Sequence, residues 1–179
     1  MLARLADRLH LTRGEKAYVI AYAAVIAMSA GMTLLIATGI SGINILGLNP
    51  TLFNFWIVFA GGLGGGMALR AARGWMGKPG ALGFSRAIVG SVVVAILAAI
   101  VAGTLILPLY GTVYGPLLLV SEFIAKPWLA MAWFGVLFGG HYLMAILEEE
   151  YAFGVSRSAN RRASEQLSSL SRAQLYRRN

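Results

Sequence analysis

Residues 17–40 read AYVIAYAAVIAMSAGMTLLIATGI, a run with no acidic residue, lysine, arginine or histidine. A helix needs about 20 residues of this kind to cross the ~30 Å hydrocarbon core of a bilayer. A secretory signal has a shorter apolar region, roughly 7–15 residues, so the basic residues upstream do not make this block a cleaved leader. Thr12 and Glu15 precede it with the spacing of a capping box, in which each side chain satisfies the other residue's backbone amide. The block therefore reads as a membrane-spanning helix with a defined start.

Three further blocks follow, at 52–69, 87–107 and 127–147. None contains an acidic residue, lysine or arginine, and only the last contains a histidine. Asn49-Pro50 and Lys126-Pro127 each place a proline at the first helical position, where its missing N–H costs nothing. Pro108 ends the third block. The chain is 58% hydrophobic and 12% charged, about half the charged share of soluble domains, which is roughly a quarter. Its mean hydropathy is +0.72. The expected fold is an all-α integral membrane protein, a bundle of four transmembrane helices.

Lysine and arginine placement sets the expected orientation. Arg4, Arg8, Arg13 and Lys16 precede the first span, and Arg70, Arg73, Lys78 and Arg86 frame the loop between the second and third. Arg157, Arg161, Arg162, Arg172, Arg177 and Arg178 follow the fourth, leaving only Lys126 on the opposite side. The positive-inside bias then puts the N- and C-termini in the cytoplasm. The formal charge of +8 belongs to segments that meet anionic lipid headgroups, and nucleic acid is not an expected partner.

Three regions follow from this reading. Residues 1–16 form a basic, amphipathic N-terminal segment with Leu2, Leu5 and Leu9 on one helical face; 17–150 is the membrane domain; 151–179 is a basic, polar cytoplasmic tail. Residues 111–125 are too short to cross and read as an interfacial helix or a re-entrant turn. Phe53, Trp56, Tyr110, Tyr114, Trp128 and Trp133 mark the outer ends of the spans. The preference for arginine over lysine, with abundant alanine and glycine, points to a GC-rich bacterial genome and so to the bacterial cytoplasmic (inner) membrane.

Glycine placement is the most specific local signal. Ala60, Gly61, Gly62, Gly64, Gly65 and Gly66 make overlapping small-xxx-small pairs, and Gly135 with Gly139 makes another. Lipid tails are as apolar as leucine, so membrane helices associate by close van der Waals contact, which small residues permit. These stripes serve packing within the bundle or a contact with a partner or second copy. His141 is a candidate intramembrane polar site, because ionisable groups are costly in lipid. Ser29, Thr33, Ser91 or Thr104 are its expected hydrogen-bonding partners.

Glu148, Glu149 and Glu150 close the fourth span, where negative charge opposes the helix dipole. Arg70 and Arg73 are the topological candidates to pair with Glu148 and Glu149; a solvated acidic collar is the alternative. The chain has no cysteine, which removes disulfides, thiolate metal sites and a thiol nucleophile. No catalytic residues, metal site or cofactor are expected. The leading expectation is a non-enzymatic accessory, assembly or scaffolding subunit of a larger membrane complex. It would contact the lipid bilayer and either other membrane subunits or its own copies. A component of an oligomeric small-solute or ion transporter or channel is the alternative.

Overall fold

The computed structural model describes residues 12–41, 52–78 and 80–152. The expectations for residues 1–11, for the Asn49-Pro50 helix start and for the tail beyond 152 lie outside these described residues. Within them the chain is helical and has no strand. The helices are α1 (Arg13–Ser41), α2 (Leu52–Ala71), α3 (Ala81–Ile106), α4 (Tyr110–Ala125) and α5 (Pro127–Ala152). A short 3-10 turn, Ala72–Gly74, follows α2. Four stretches, Arg13–Gly39, Leu52–Gly74, Ala81–Ile106 and Pro127–Tyr151, are long and apolar enough to cross a membrane. They coincide with the four apolar blocks, and this arrangement is that of a multi-pass membrane protein.

Local chemistry sets the helix ends. The Thr12 N–H donates to Glu15 Oε2 at 2.9 Å, and the Glu15 N–H donates to Thr12 Oγ1 at 3.2 Å. That reciprocal pair is the expected capping box, and it starts α1 before the apolar block begins. Pro127 opens α5 directly after Lys126, whose own N–H donates to the Glu122 carbonyl at 2.8 Å.

The helices pack in the spatial order α5, α1, α2, α3, α4, with α2 wedged between α1 and α3 and α5 against the opposite flank of α1. Val25, Ile57, Leu69, Val94, Leu129 and Leu137 are fully buried where these flanks meet. The outward surface is apolar as well, with Leu52 88% and Leu82 78% exposed. At most 44% of any span is buried inside the protein. A surface of that character is suited to contact with lipid or with other protein.

Residues 111–125 resolve into the greater part of α4, whose 16 residues rise only ~24 Å. Leu109, at φ 71° and ψ −59°, turns the chain back on itself, and the Tyr110 N–H donates to the Pro108 carbonyl at 2.9 Å. That is a γ-turn of the rarer, strained hand. Beyond it α4 lies on α3 backbone to backbone: a Cβ at either Gly103 or Gly111 would overlap the other residue's carbonyl, and one at Gly115 would meet that of Ala99.

Candidate functional site

The glycine run of α2 serves two seams at once. A Cβ at Gly61 would sit 2.9 Å from the Ser29 carbonyl oxygen and collide with the Thr33 hydroxyl, and one at Gly65 would sit 2.5 Å from Ser29 Cβ. Gly62 and Gly66 lie against Ile26, each 3.3 Å away by the same measure. Gly64 faces the other way, where a Cβ would stand 2.7 Å from the Ala98 carbonyl oxygen and 3.1 Å from the Ala102 nitrogen. Ala60 is fully buried beside them. Close approach on both sides explains why glycines fall at consecutive positions and not only on one face. These residues pack within the chain.

The small residues of α5 are placed differently. Among the described residues, a Cβ at Gly135 or Gly139 meets no atom within 4 Å, and the same holds for Gly31 of α1. Trp128, Met131, Gly135, Gly139 and Tyr142 follow one another at three- and four-residue steps, so they share a helical face. All five are exposed. On α1, Ile20, Ala24, Ala27 and Gly31 form a second exposed stripe by the same spacing.

His141 has a partner that sequence spacing did not supply. Its Nδ1 accepts the Gly77 N–H at 2.9 Å, which places the imidazole proton on Nε2 in the neutral ring. Gly77 adopts φ +81° and lies so near Met144 that a Cβ would come within 2.9 Å of the methionine Cβ. Met76 beside it is buried. His141 thus ties the connection between α2 and α3 to α5. Three of the four hydroxyls expected to serve it bond elsewhere. Thr33 donates to the Ser29 carbonyl at 2.8 Å, Ser91 to that of Ala87 at 2.7 Å and Thr104 to that of Ile100 at 2.7 Å. No feature of the sequence paired His141 with the Gly77 amide.

The acidic end of α5 meets the start of α1. Thr12 Oγ1 donates to Glu150 Oε2 at 2.8 Å while still accepting the Glu15 amide. Gly14 leaves room for this approach, since a Cβ there would stand 2.8 Å from Leu147 Cα. Glu150 therefore sits at the positive end of the α1 dipole, which offsets its unfavourable place at the end of α5. Glu148 and Glu149 are exposed. They form no ion pair with Arg70 or Arg73; among the described residues the ion pair is Lys126 with Glu122, at 2.7 Å. Arg73 instead lies over the Tyr18 ring, 5.3 Å from its centroid, a cation–π contact.

Among the described residues no three histidine, aspartate or glutamate side chains gather closely enough to hold a metal ion. No protein family, curated protein or solved structure matches the chain. Its functional reading therefore rests on this geometry.

Proposed function

We propose that the chain is a non-enzymatic accessory or scaffolding subunit of a larger assembly in the bacterial cytoplasmic membrane, with both termini in the cytoplasm. The observation that carries this reading is the contrast between α2 and α5. The glycines of α2 are filled by neighbouring helices of the same chain, whereas Gly135 and Gly139 have open space at their Cβ positions. A groove of small residues lets another transmembrane helix approach closely. Here it is flanked by exposed Trp128, Met131 and Tyr142, large side chains of the kinds enriched at protein interfaces. The one-sided distribution of lysine and arginine supports the orientation.

The alternative of an oligomeric transporter or channel needs a polar path. His141, the ionisable group on which that path would rest, is engaged with the Gly77 amide.

The natural absence of cysteine makes the test direct. In intact membranes, Gly139→Cys and Gly135→Cys should form cross-linked adducts of defined mass with a partner, and Gly64→Cys should form none. A chain that gives no adduct at either α5 position, and that purifies alone as a stable monomer in mild detergent, would overturn the reading. A reporter fused after Asn179 should be active only as a cytoplasmic fusion.

A further inference from the structure

A cavity of about 260 Å³ lies between α1 and α3, at the end of the bundle where α3 turns into α4. On α3 its wall runs from Ala95 to Ile106, and on α1 from Ser29 to Ala37. At about 1.5 Å of rise per residue, the longer wall extends ~16 Å along the helix axis. A sphere of 260 Å³ is only about 8 Å across, so walls of that length enclose a slot parallel to the helices. The slot exists because α3 presents alanines on this side, while the close Gly103–Gly111 seam holds α4 on α3 and away from α1.

The slot leads from the interior to the surface. Met32, Ala95 and Trp133 in its walls are buried, whereas Leu107, Tyr110 and Tyr114 are exposed. Its mouth is therefore at the far end of the bundle from the Thr12–Glu150 hydrogen bond. Tyrosines at the ends of membrane spans sit at headgroup level, which puts the mouth where the chains of a lipid begin.

The dimensions select the occupant. Space left empty forfeits van der Waals contact along every wall. Water needs two to four polar neighbours, and these walls are almost wholly apolar. Another helix, about 10 Å or more in diameter, is too wide. An apolar cavity of about 150 Å³ admits a benzene ring, but one ring fills only part of a slot this long. A flexible hydrocarbon chain matches both length and width. We infer that the slot holds one acyl chain of a membrane lipid, entering beside Tyr110 and Tyr114 and lying along α3. The site rests on the reading of the chain as membrane-spanning and is separate from the α5 face proposed for partner contact.

Tryptophan fluorescence in lipids brominated on their acyl chains tests this, because bromine quenches only on near contact. The full chain is placed in nanodiscs with Trp133 as its single tryptophan, after Trp56→Phe, Trp75→Phe and Trp128→Phe. A companion protein keeps only Trp56, an exposed residue of α2 that reports contact with the surrounding lipid. Both should lose most of their emission in brominated discs relative to unbrominated ones. Ala99→Leu on the α3 wall and Ile36→Phe on the α1 wall each narrow the slot. Either should restore the Trp133 emission and leave Trp56 quenched, and variants on two helices keep the test intact if one misfolds. Trp133 emission unchanged by bromine while Trp56 is quenched overturns the inference and leaves the membrane reading standing; side chains of a second copy filling the slot would give that result. Trp133 quenching that persists in the folded variants also overturns it, by assigning the effect to lipid outside the slot. An unquenched Trp56 sinks the membrane reading and the inference with it.

Discussion

Replacing Gly64 with alanine places a methyl group 2.7 Å from the carbonyl oxygen of Ala98 and 3.1 Å from the amide nitrogen of Ala102. Both atoms belong to the α3 backbone, so no side-chain rotation relieves the overlap, and α2 must move away from α3. Overpacking of this kind costs about 1–3 kcal/mol. Alanine's better helix propensity returns about 0.8–1 kcal/mol, leaving a net loss of about 1 kcal/mol near the middle of that range. Gly139→Ala makes the same change of propensity where no atom lies within 4 Å, so the fold should be unchanged or gain up to about 1 kcal/mol. The difference between the two variants isolates the steric part, about 1–3 kcal/mol. Reversible unfolding in mixed micelles, titrated with a denaturing detergent and followed by far-ultraviolet circular dichroism, measures it. Equal stabilities for the two variants would refute the claim that α2 is wedged at backbone contact.

Further outcomes follow from single contacts. His141→Ala leaves the Gly77 amide without its acceptor and should cost about 1–3 kcal/mol, read as a lower thermal midpoint and faster proteolysis between residues 74 and 80. Thr12→Ala removes both the α1 cap and the hydroxyl that reaches Glu150; loss of the cap alone should cost about 0.5–2 kcal/mol in the same unfolding titration. Leu109→Gly should raise stability by about 1 kcal/mol, because a leucine held at φ 71° stores backbone strain that glycine does not. A Leu109→Gly protein less stable than the parent would show that the 83% exposed leucine side chain contributes more than its backbone costs.

The four long helices were legible because each is specified by its own stretch of chain: an apolar run of sufficient length, with Thr12 or Pro127 marking where it starts. The α1 cap was readable to the atom, since Thr12 and Glu15 interact across a single turn. What could not be read depends on residues far apart in sequence. Gly61 and Gly64 look alike in a small-residue pattern, yet one faces α1 and the other α3, and only the spatial order of the helices separates them. Gly111 and Gly115 carried no signal until the turn at Leu109 brought them onto Gly103 and Ala99. Trp133 had the place expected of an interfacial aromatic, but its helical face turns it inward. His141 found its acceptor role in a loop backbone, which no side-chain inventory reveals.

The order α5, α1, α2, α3, α4 also bears on how the protein is made. Synthesis delivers α1, α2 and α3 as consecutive neighbours, each able to settle on the helix before it as it leaves the ribosome. The far flank of α1 has no such companion, because its mate is the last of the described helices to emerge. The hydrogen bond closing that flank joins Thr12 to Glu150, 138 positions apart. Throughout translation of the intervening helices that flank of α1 stays uncovered by the chain itself. A ribosome that stops before Pro127 releases a product whose first helix never receives its cover.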